Sequence, residues 1–291
     1  MLQGAATALI TPFDNELNVD YSAWKKFLSF QIENGINALI VLGTTGEAAT
    51  INEDERKKLT EIAVETADKK IPVIIGTGTN DTKKVVSLNK LAEECKADGV
   101  LIVNPYYNKG TQNSLIDHYK YIAERTPLPI ILYNVPSRTA MNILPETVIK
   151  IHESSPNVIG IKEACADISQ IAKLFSIKPD NFIVYSGNDD QTLPIMALGG
   201  KGLVSVLSNV YPKQTAELTQ SLLQNDYEKA RKINNKYLKY MNLLFVEANP
   251  IPVKYAASRL GYCRNTLRLP LAKASSTTMK LLDEEMERLN D

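Results

Sequence analysis

Eight short apolar runs, separated by longer stretches that carry charge, constrain the fold of this 291-residue chain more than any other feature. Each run has the length and apolar content of a buried strand. The intervening stretches, such as residues 53–69 and 83–96, show helical periodicity, with Gly or Pro near several junctions. The runs lie at residues 5–10, 38–42, 72–75, 100–103, 129–132, 158–161, 182–185 and 203–206. This alternation of strand and helix predicts an α/β protein with a parallel sheet.

The number of repeats predicts which parallel sheet forms. Eight strand and helix units over roughly 220 residues match a closed (β/α)8 TIM barrel better than an open doubly wound sheet, which has fewer strands. After Pro212 the strand runs stop, and helical patterns continue through residues 227–246 and 279–289. We therefore predict a catalytic barrel at residues 1–212 and a helical C-terminal extension at residues 213–291. Without a low-complexity linker, we expect the extension to pack on the barrel or on a neighbouring subunit.

The charge balance narrows the class of ligand. Lys plus Arg and Asp plus Glu each number 33, so no net field favours nucleic acid or an anionic membrane surface. The first residues lack a basic segment followed by a long apolar stretch, and no uncharged run reaches membrane-spanning length. We expect a cytoplasmic protein that binds a small molecule, with no nucleic-acid or membrane partner.

Cysteine and histidine are too sparse for several common chemistries. Cys95, Cys165 and Cys263 are far apart and form no Cys-x-x-Cys pair, so we interpret them as reduced packing residues. His118 and His152 lack a second ligand at helical spacing, which leaves little material for a histidine metal site or a Ser-His-Asp triad. We therefore expect chemistry without a metal or cofactor.

Two strand ends carry the residues that point to a reaction. The run at 158–161 ends in Lys162, and the run at 129–132 ends in Tyr133. Barrel active sites form at the carboxyl ends of the strands, so we expect the amine and the phenol to lie side by side. A buried ammonium is costly unless it is paired or loses its proton, and the neutral amine is a nucleophile. The alternative is a solvated lysine that happens to follow a strand.

Other strand ends supply groups that could bind a carboxylate. The second run closes with Gly-Thr-Thr-Gly-Glu at residues 43–47, whose hydroxyls and amides suit an anion, although such residues also form ordinary turns. Arg138 follows the fifth run on a loop ordered by proline and suits a forked bond to a carboxylate, with a surface ion pair as the alternative. The seventh run closes with Ser186-Gly187, and such small residues leave room for a ligand.

One amine, several hydroxyls and one arginine indicate imine chemistry on a carboxylated carbonyl compound such as a keto acid. Lys162 would add to the ketone and lose water, and the resulting iminium would give an enamine able to attack an aldehyde. Tyr133, linked through Thr44 to Tyr107, could carry the protons as a hydroxyl relay. The alternative for adjacent tyrosines such as Tyr106 and Tyr107 is packing or an interface.

At these residues the chain resembles the dihydrodipicolinate synthase family of pyruvate-dependent class I aldolases, over nearly its whole length. The resemblance rests on residues 43–47 followed by Glu55, on residues 133–136 with 160–163, and on Asn-Pro-Ile-Pro-Val-Lys at 249–254. It implies a barrel lyase that condenses pyruvate with L-aspartate 4-semialdehyde in diaminopimelate and lysine biosynthesis. It also implies a Schiff base between pyruvate and Lys162, with no external cofactor.

The resemblance further implies roles for the surrounding residues. Tyr133, Thr44 and Tyr107 would form the proton relay, with Tyr107 contributed by a partner subunit across a dimer interface. The implied substrate-binding residues are Thr45 for the pyruvate carboxylate, Arg138 for the carboxylate of the semialdehyde, and Gly187 and Val204 through backbone groups. Members of the family are usually homotetramers built as a dimer of tight dimers.

Two alternatives to this activity remain. Sibling aldolases, such as N-acetylneuraminate lyase and keto-deoxy sugar acid aldolases, share the glycine-threonine turn, the tyrosine and the lysine. They generally lack an arginine at the position of Arg138, which favours the synthase. A non-catalytic sensor on a degenerate barrel is disfavoured, because the lysine and the relay hydroxyls are all present.

The resemblance also covers a regulatory pocket that binds lysine at the dimer interface of inhibited relatives. The matching positions here are Ala48, Ala49, Glu53, Arg56, Asn80, Lys84 and Tyr106. Asn80 and Tyr106 match the inhibited relatives, whereas Lys84 reverses a charge that would bind the inhibitor's ammonium group. We therefore expect feedback inhibition by lysine to be weak or absent.

Overall fold

Eight parallel strands close into a barrel in the computed structural model, which describes residues 3–290. Each strand pairs with the next along the chain, and the eighth returns to pair with the first. The strands are β1 (Gly4–Ala8), β2 (Ala38–Val41), β3 (Val73–Gly76), β4 (Gly99–Val103), β5 (Ile130–Asn134), β6 (Val158–Glu163), β7 (Ile183–Ser186) and β8 (Gly202–Ser205). The predicted (β/α)8 barrel is confirmed, and the ends of the predicted strands move by at most two residues.

Helices alternate with the strands and then continue beyond them. Those described by the structure are α1 (Tyr21–Glu33), α2 (Glu53–Ala67), α3 (Thr82–Glu94), α4 (Gln112–Ala123), α5 (Pro136–Thr139), α6 (Pro145–Ser154), α7 (Ile168–Ile177), α8 (Thr192–Ala197), α9 (Pro212–Leu223), α10 (Tyr227–Leu243), α11 (Ile251–Arg259) and α12 (Ser276–Asn290). Asp20, Asp81 and Asp226 cap helix N-termini, and Asn52 forms a capping box with Glu55. Within residues 3–290, none of these helices is both long and apolar enough to cross a bilayer.

Side chains alternate between the two faces of each strand, and the two sets form separate apolar cores. Outward-facing residues such as Leu39 and Val41 belong to the large core beneath the helices. Inward-facing residues such as Ile40 fill the barrel. The same alternation turns Ile161 outward and the next residue, Lys162, into the barrel.

The C-terminal helices are anchored to the barrel. Helix α9 packs against β1 and β8, as the eighth helix of a barrel would, and α10 packs against α9. Helix α12 packs against both α10 and α11. These contacts favour a boundary after Leu223 rather than after residue 212, and the division into two parts stays a prediction.

Candidate active site

A cavity of about 300 Å³ opens at the carboxyl ends of the strands, where barrel enzymes hold their active sites. Four strand ends contribute the predicted site residues on its wall, which are Thr44, Thr45, Tyr133, Arg138, Lys162 and Gly187. The rest of the wall is formed by Ala8, Ile40, Gly43, Leu101, Val135, Ser137, Asn188, Val206, Phe245, Ala248 and Asn249. Polar groups that converge among apolar residues on one wall suit a small polar ligand.

The amine of Lys162 faces this cavity from the inner side of β6. The residue is 6% exposed, and the strand register sets it beside Tyr133 of β5. Its Nζ lies 4.1 Å from the centroid of the Tyr133 ring. Among the residues that the structure describes, no carboxylate lies within ion-pair distance of Nζ. The amine therefore meets a phenol ring and open space instead of a counter-ion.

Gly187 provides the space that the lysine occupies. A Cβ at this position would lie 2.7 Å from Cβ of Ala164 and 3.1 Å from Cε of Lys162, so a larger residue would displace the amine. The N–H of Gly187 donates to the carbonyl of Glu163 at 2.7 Å. Its own carbonyl accepts no hydrogen bond from residues 3–290 and is open to a ligand. The structure does not bring Val204 to the cavity wall, because its side chain is buried in the inner core of the barrel; Val206 lines the cavity instead.

The turn at residues 43–47 holds the two threonines at the cavity. Thr44 and Thr45 lie in a short 3-10 turn, and Glu47 closes it with a left-handed φ of 54°. Thr45 is buried, and its Oγ1 accepts a 2.9 Å hydrogen bond from Nδ2 of Asn249. Because this oxygen already accepts, the single proton of the Thr45 hydroxyl can point at a ligand.

Arg138 reaches the cavity from α5, the short helix that follows β5. Its Nη2 donates to the carbonyl of Asn249 at 3.4 Å, and no carboxylate among residues 3–290 forms an ion pair with it. The remaining N–H groups of the guanidinium are therefore available to a carboxylate from solution. Their planar fork allows a bidentate contact.

Tyr107 is the one predicted relay residue that lies away from the other groups. It is 91% exposed, with a φ of 69°, and it does not line the cavity. Its neighbour Tyr106 lines a second cavity of about 360 Å³, which shares Thr44, Tyr133 and Arg138 with the first. The hydroxyl relay is therefore not assembled within a single chain.

Only some of the predicted regulatory residues lie together in the structure. Ala48, Ala49, Arg56 and Tyr106 line the second cavity, whereas Glu53, Asn80 and Lys84 do not. The ammonium of Lys84 pairs with the carboxylate of Glu53 on the surface. Arg56 is buried and donates to the carbonyls of Gly76 and Ala48, and burial lowers the pKa of its guanidinium.

Asp189 is a buried carboxylate near the site. We did not predict it from the sequence. It accepts hydrogen bonds from Ser205 Oγ at 2.5 Å and from the N–H groups of Val206 at 2.9 Å and Leu207 at 3.2 Å. Burial raises its pKa, and these bonds and the charge of Lys162 oppose that rise. Asp189 thus fixes the chain after β8, including Val206 on the cavity wall. In the sequence, Ser186-Gly187 indicated that this strand end belongs to the site, but nothing there indicated that Asp189 is a buried acid.

A second buried acid, Glu163, lies behind the lysine. Its carboxylate accepts from Asn134 Nδ2 at 3.0 Å and from the N–H of Cys165 at 2.9 Å. Burial raises its pKa to about 7, against the lowering effect of these hydrogen bonds. Burial and the charge of Glu163 raise the pKa of the Cys165 thiol to about 12. Cys165 does not line the cavity that holds Lys162.

Two other lysines could compete for the role of nucleophile, and neither lines the cavity. Lys201 immediately precedes β8, at the opposite end of the strand from the site. Lys254 is fully buried in α11, where its ammonium pairs with Glu47. Within the described part of the chain, no three His, Cys, Asp or Glu side chains converge as metal ligands.

A family model and the most similar named proteins agree on the family to which this chain is related. The model of the dihydrodipicolinate synthetase family matches residues 1–288. A 4-hydroxy-tetrahydrodipicolinate synthase from Thermotoga neapolitana is 52% identical over 285 residues, which cover 97% of each chain.

Solved structures agree with the sequence relatives. The crystal structure of dihydrodipicolinate synthase from Thermotoga maritima has a TM-score of 0.98 and 49% identity, covering 100% of this chain and 99% of that one. Another structure, described as the first monomeric dihydrodipicolinate synthase variant, has a TM-score of 0.96 and 49% identity, with 99% and 97% coverage. Given the barrel, the site and these matches, the chain belongs to the dihydrodipicolinate synthetase family.

Proposed function

We propose that this protein is a lyase that condenses pyruvate with L-aspartate 4-semialdehyde to give 4-hydroxy-tetrahydrodipicolinate, the first committed step of diaminopimelate and lysine biosynthesis. The observation that carries the proposal is the amine of Lys162, which faces a cavity beside Tyr133 with no carboxylate in contact among residues 3–290. The names of relatives at about 50% identity over nearly full length support the same activity.

The reaction begins with an imine on Lys162. The neutral amine adds to the keto carbon of pyruvate and water leaves. The iminium withdraws electrons from the methyl carbon, which loses a proton to the hydroxyl relay and gives an enamine. The enamine carbon then bonds to the aldehyde carbon of the semialdehyde, and the new alkoxide takes up a proton. Lys162 is released when the amino group of the semialdehyde replaces the lysine nitrogen on the same carbon, which closes the ring.

Each carboxylate has a candidate partner on the cavity wall. The hydroxyl of Thr45 is oriented by Asn249 so that its proton can reach the pyruvate carboxylate. Arg138 stands on the same wall with free N–H donors for the carboxylate of the semialdehyde. Both contacts hold the reacting carbons near the amine, which is how positioning lowers a bimolecular barrier. The carbonyl of Gly187 would complete the pocket.

Proton transfer is assigned to Tyr133, Thr44 and Tyr107, with Tyr107 supplied by a second copy of the chain. The support is the 91% exposure of Tyr107 beside an apolar cavity that shares a wall with the site. We propose a homotetramer built as a dimer of dimers. One solved relative is a monomeric variant, so sedimentation of the purified protein is the required test, and a monomer with full activity would contradict the relay.

We propose that the reaction needs no external cofactor, because imine formation, proton transfer and carbon–carbon bond formation require only the amine and the hydroxyls. We also propose a cytoplasmic location, supported by relatives that are named for a biosynthetic reaction of small metabolites. Dialysis against a chelator should leave the activity unchanged, and a loss restored by added metal would contradict the first of these proposals.

The direct test is product formation from pyruvate and aspartate semialdehyde, coupled to a reductase that consumes the cyclic product. Parallel reactions use the aldehydes that sialic acid and keto-deoxy sugar acid aldolases accept. We expect turnover with the semialdehyde alone, because Arg138 matches its carboxylate. Turnover only with sugar aldehydes would keep the chemistry of Lys162 and assign the protein to a sibling aldolase.

A further inference from the structure

The second buried lysine, Lys254, belongs to a motif that the proposed reaction leaves without a role. It lies in α11 of the C-terminal region, with 0% of its side chain exposed, and its Nζ forms an ion pair with Oε1 of Glu47, which is 1% exposed. Glu47 ends the turn that carries Thr44 and Thr45. The pair therefore joins the C-terminal region directly to the substrate-binding turn.

Other groups of the protein contact both the carboxylate and the ammonium of this pair. Oε2 of Glu47 accepts the backbone N–H of Arg268 at 3.1 Å. Nζ of Lys254 lies 4.0 Å from the centroid of the Phe13 ring, and the guanidinium carbon of Arg268 lies 4.5 Å from the same centroid. Neither Glu47 nor Lys254 lines the cavity that holds Lys162. Glu47 lines the second cavity instead, so the pair does not contact the cavity in which the reacting atoms lie.

The chain segment that carries Lys254 also contacts the turn at Thr45. Asn249, which precedes α11, donates to Oγ1 of Thr45, and Lys254, five residues later, holds Glu47. Glu47 adopts a left-handed backbone that non-glycine residues adopt only rarely, so surrounding contacts must maintain it. Two contacts from one short segment therefore fix the turn on both sides of Gly46.

We propose that Glu47 and Lys254 are positioning residues for pyruvate binding, because their ion pair holds the turn in the conformation in which Asn249 orients the Thr45 hydroxyl. This inference rests on the proposed function, in which Thr45 binds the pyruvate carboxylate. If one partner is removed, the other is left as a buried charge, and the turn must move to hydrate it. If both are removed, no charge is stranded, but the turn loses its tether.

The test measures the pyruvate concentration at which borohydride trapping on Lys162 is half-maximal, which requires no aldehyde. The variants are Lys254→Met, Glu47→Gln and the double variant, each with its melting temperature. We expect both single variants to melt earlier and to need at least about tenfold more pyruvate, the size of one lost hydrogen bond to a charged group. The double variant should recover its melting temperature while its pyruvate requirement stays several-fold above that of the wild type.

Glu285→Gln is the matched control, because Glu285 is also a carboxylate that is 1% exposed and paired with a lysine and an arginine, Lys239 and Arg288. It should melt earlier without a change in the pyruvate requirement. A double variant with the wild-type requirement would overturn the proposal, since the pair would then serve folding alone. If the wild type itself traps no pyruvate, the proposed function fails instead.

Discussion

Two buried lysines of this protein each lie over an aromatic ring, but the other groups around their amines differ. Nζ of Lys162 lies 4.1 Å from the ring centroid of Tyr133, and Nζ of Lys254 lies 4.0 Å from that of Phe13. Lys254 is closed off by the carboxylate of Glu47, whereas Lys162 faces a cavity and has no such partner among residues 3–290. Burial alone therefore does not separate Lys162, the proposed nucleophile, from Lys254.

The difference lies in what surrounds each amine beyond the aromatic ring. Burial lowers the pKa of Lys254, and the neighbouring Glu47 opposes that change by stabilising the ammonium. A nucleophilic amine needs access to its substrate and a group that exchanges protons with it, and in the proposed mechanism the hydroxyl of Tyr133 is that group. The ring of Phe13 has no hydroxyl that could exchange protons with Lys254. The contacts of Lys254 can therefore hold the neighbouring chain segments in place but do not support proton transfer.

The largest expected effect comes from replacing the two lysines in turn. Lys162→Ala should reduce turnover by at least about 10⁴-fold, because the imine cannot form on another group. Lys254→Met should still form the pyruvate adduct when pyruvate is saturating. Steady-state rates and borohydride trapping measure both variants. A pyruvate adduct that persists in Lys162→Ala would break the comparison.

The second-largest expected effect tests the hydroxyl that distinguishes the ring of Tyr133 from the ring of Phe13. Tyr133→Phe keeps the ring beside Lys162 and removes the hydroxyl, which should lower kcat by about 10²- to 10⁴-fold, the usual contribution of general acid–base catalysis. The pyruvate KM should change little. Tyr262→Phe, which alters a phenol stacked on Phe30 away from the site, is the control. Equal kcat values for the two variants would remove Tyr133 from the relay.

A smaller effect concerns the acid behind Lys162. Burial raises the pKa of Glu163 from 4.5 to about 7, so the folded state holds this proton more tightly than the unfolded state. Stability should therefore fall as the pH rises from about 4.5 to 7, by up to roughly 3 kcal/mol. Urea unfolding at pH 5 and pH 8 measures this, and Glu163→Gln should reduce the difference. Glu153→Gln, at an exposed position of α6, should keep the full pH dependence, and equal behaviour of the two variants would contradict the assignment.

The smallest expected effect concerns a third lysine, Lys84, whose pair with Glu53 is exposed. Solvent screens such exposed pairs, so this contact adds little to stability. Because Lys84 opposes a ligand ammonium, L-lysine at about 1 mM should leave the coupled rate unchanged. Lys84→Glu tests the cause by reversing the charge and should increase sensitivity. Potent inhibition of the wild type at sub-millimolar lysine would refute the prediction.

The sequence predicted the barrel because strand periodicity is a local signal. Each apolar run coincides with an observed strand, and β5 and β6 extend to Asn134 and Glu163 because polar residues at the strand ends still pair in the ladder. The same logic predicted that Lys162 and Tyr133 lie together, which the structure shows. The catalytic and binding roles of the site residues stay predictions.

Contacts between distant segments could not be predicted. Lys254 lies 207 positions from Glu47, and Asn249 lies 204 positions from Thr45. Neither pair leaves a periodic pattern in the sequence, because each depends on how the C-terminal helices pack over the barrel. Asp189 was missed for a similar reason, since two of its three donors are backbone N–H groups that any sequence offers and the third, Ser205, lies 16 positions away.

The central claim is that Lys162 and not Lys254 forms the imine, and one measurement tests it most directly. The wild-type protein is incubated with pyruvate, reduced with borohydride, digested and mapped by mass spectrometry. The account predicts one reduced pyruvate adduct per chain, on Lys162. An adduct on Lys254 or Lys201, or no adduct at saturating pyruvate, would contradict it.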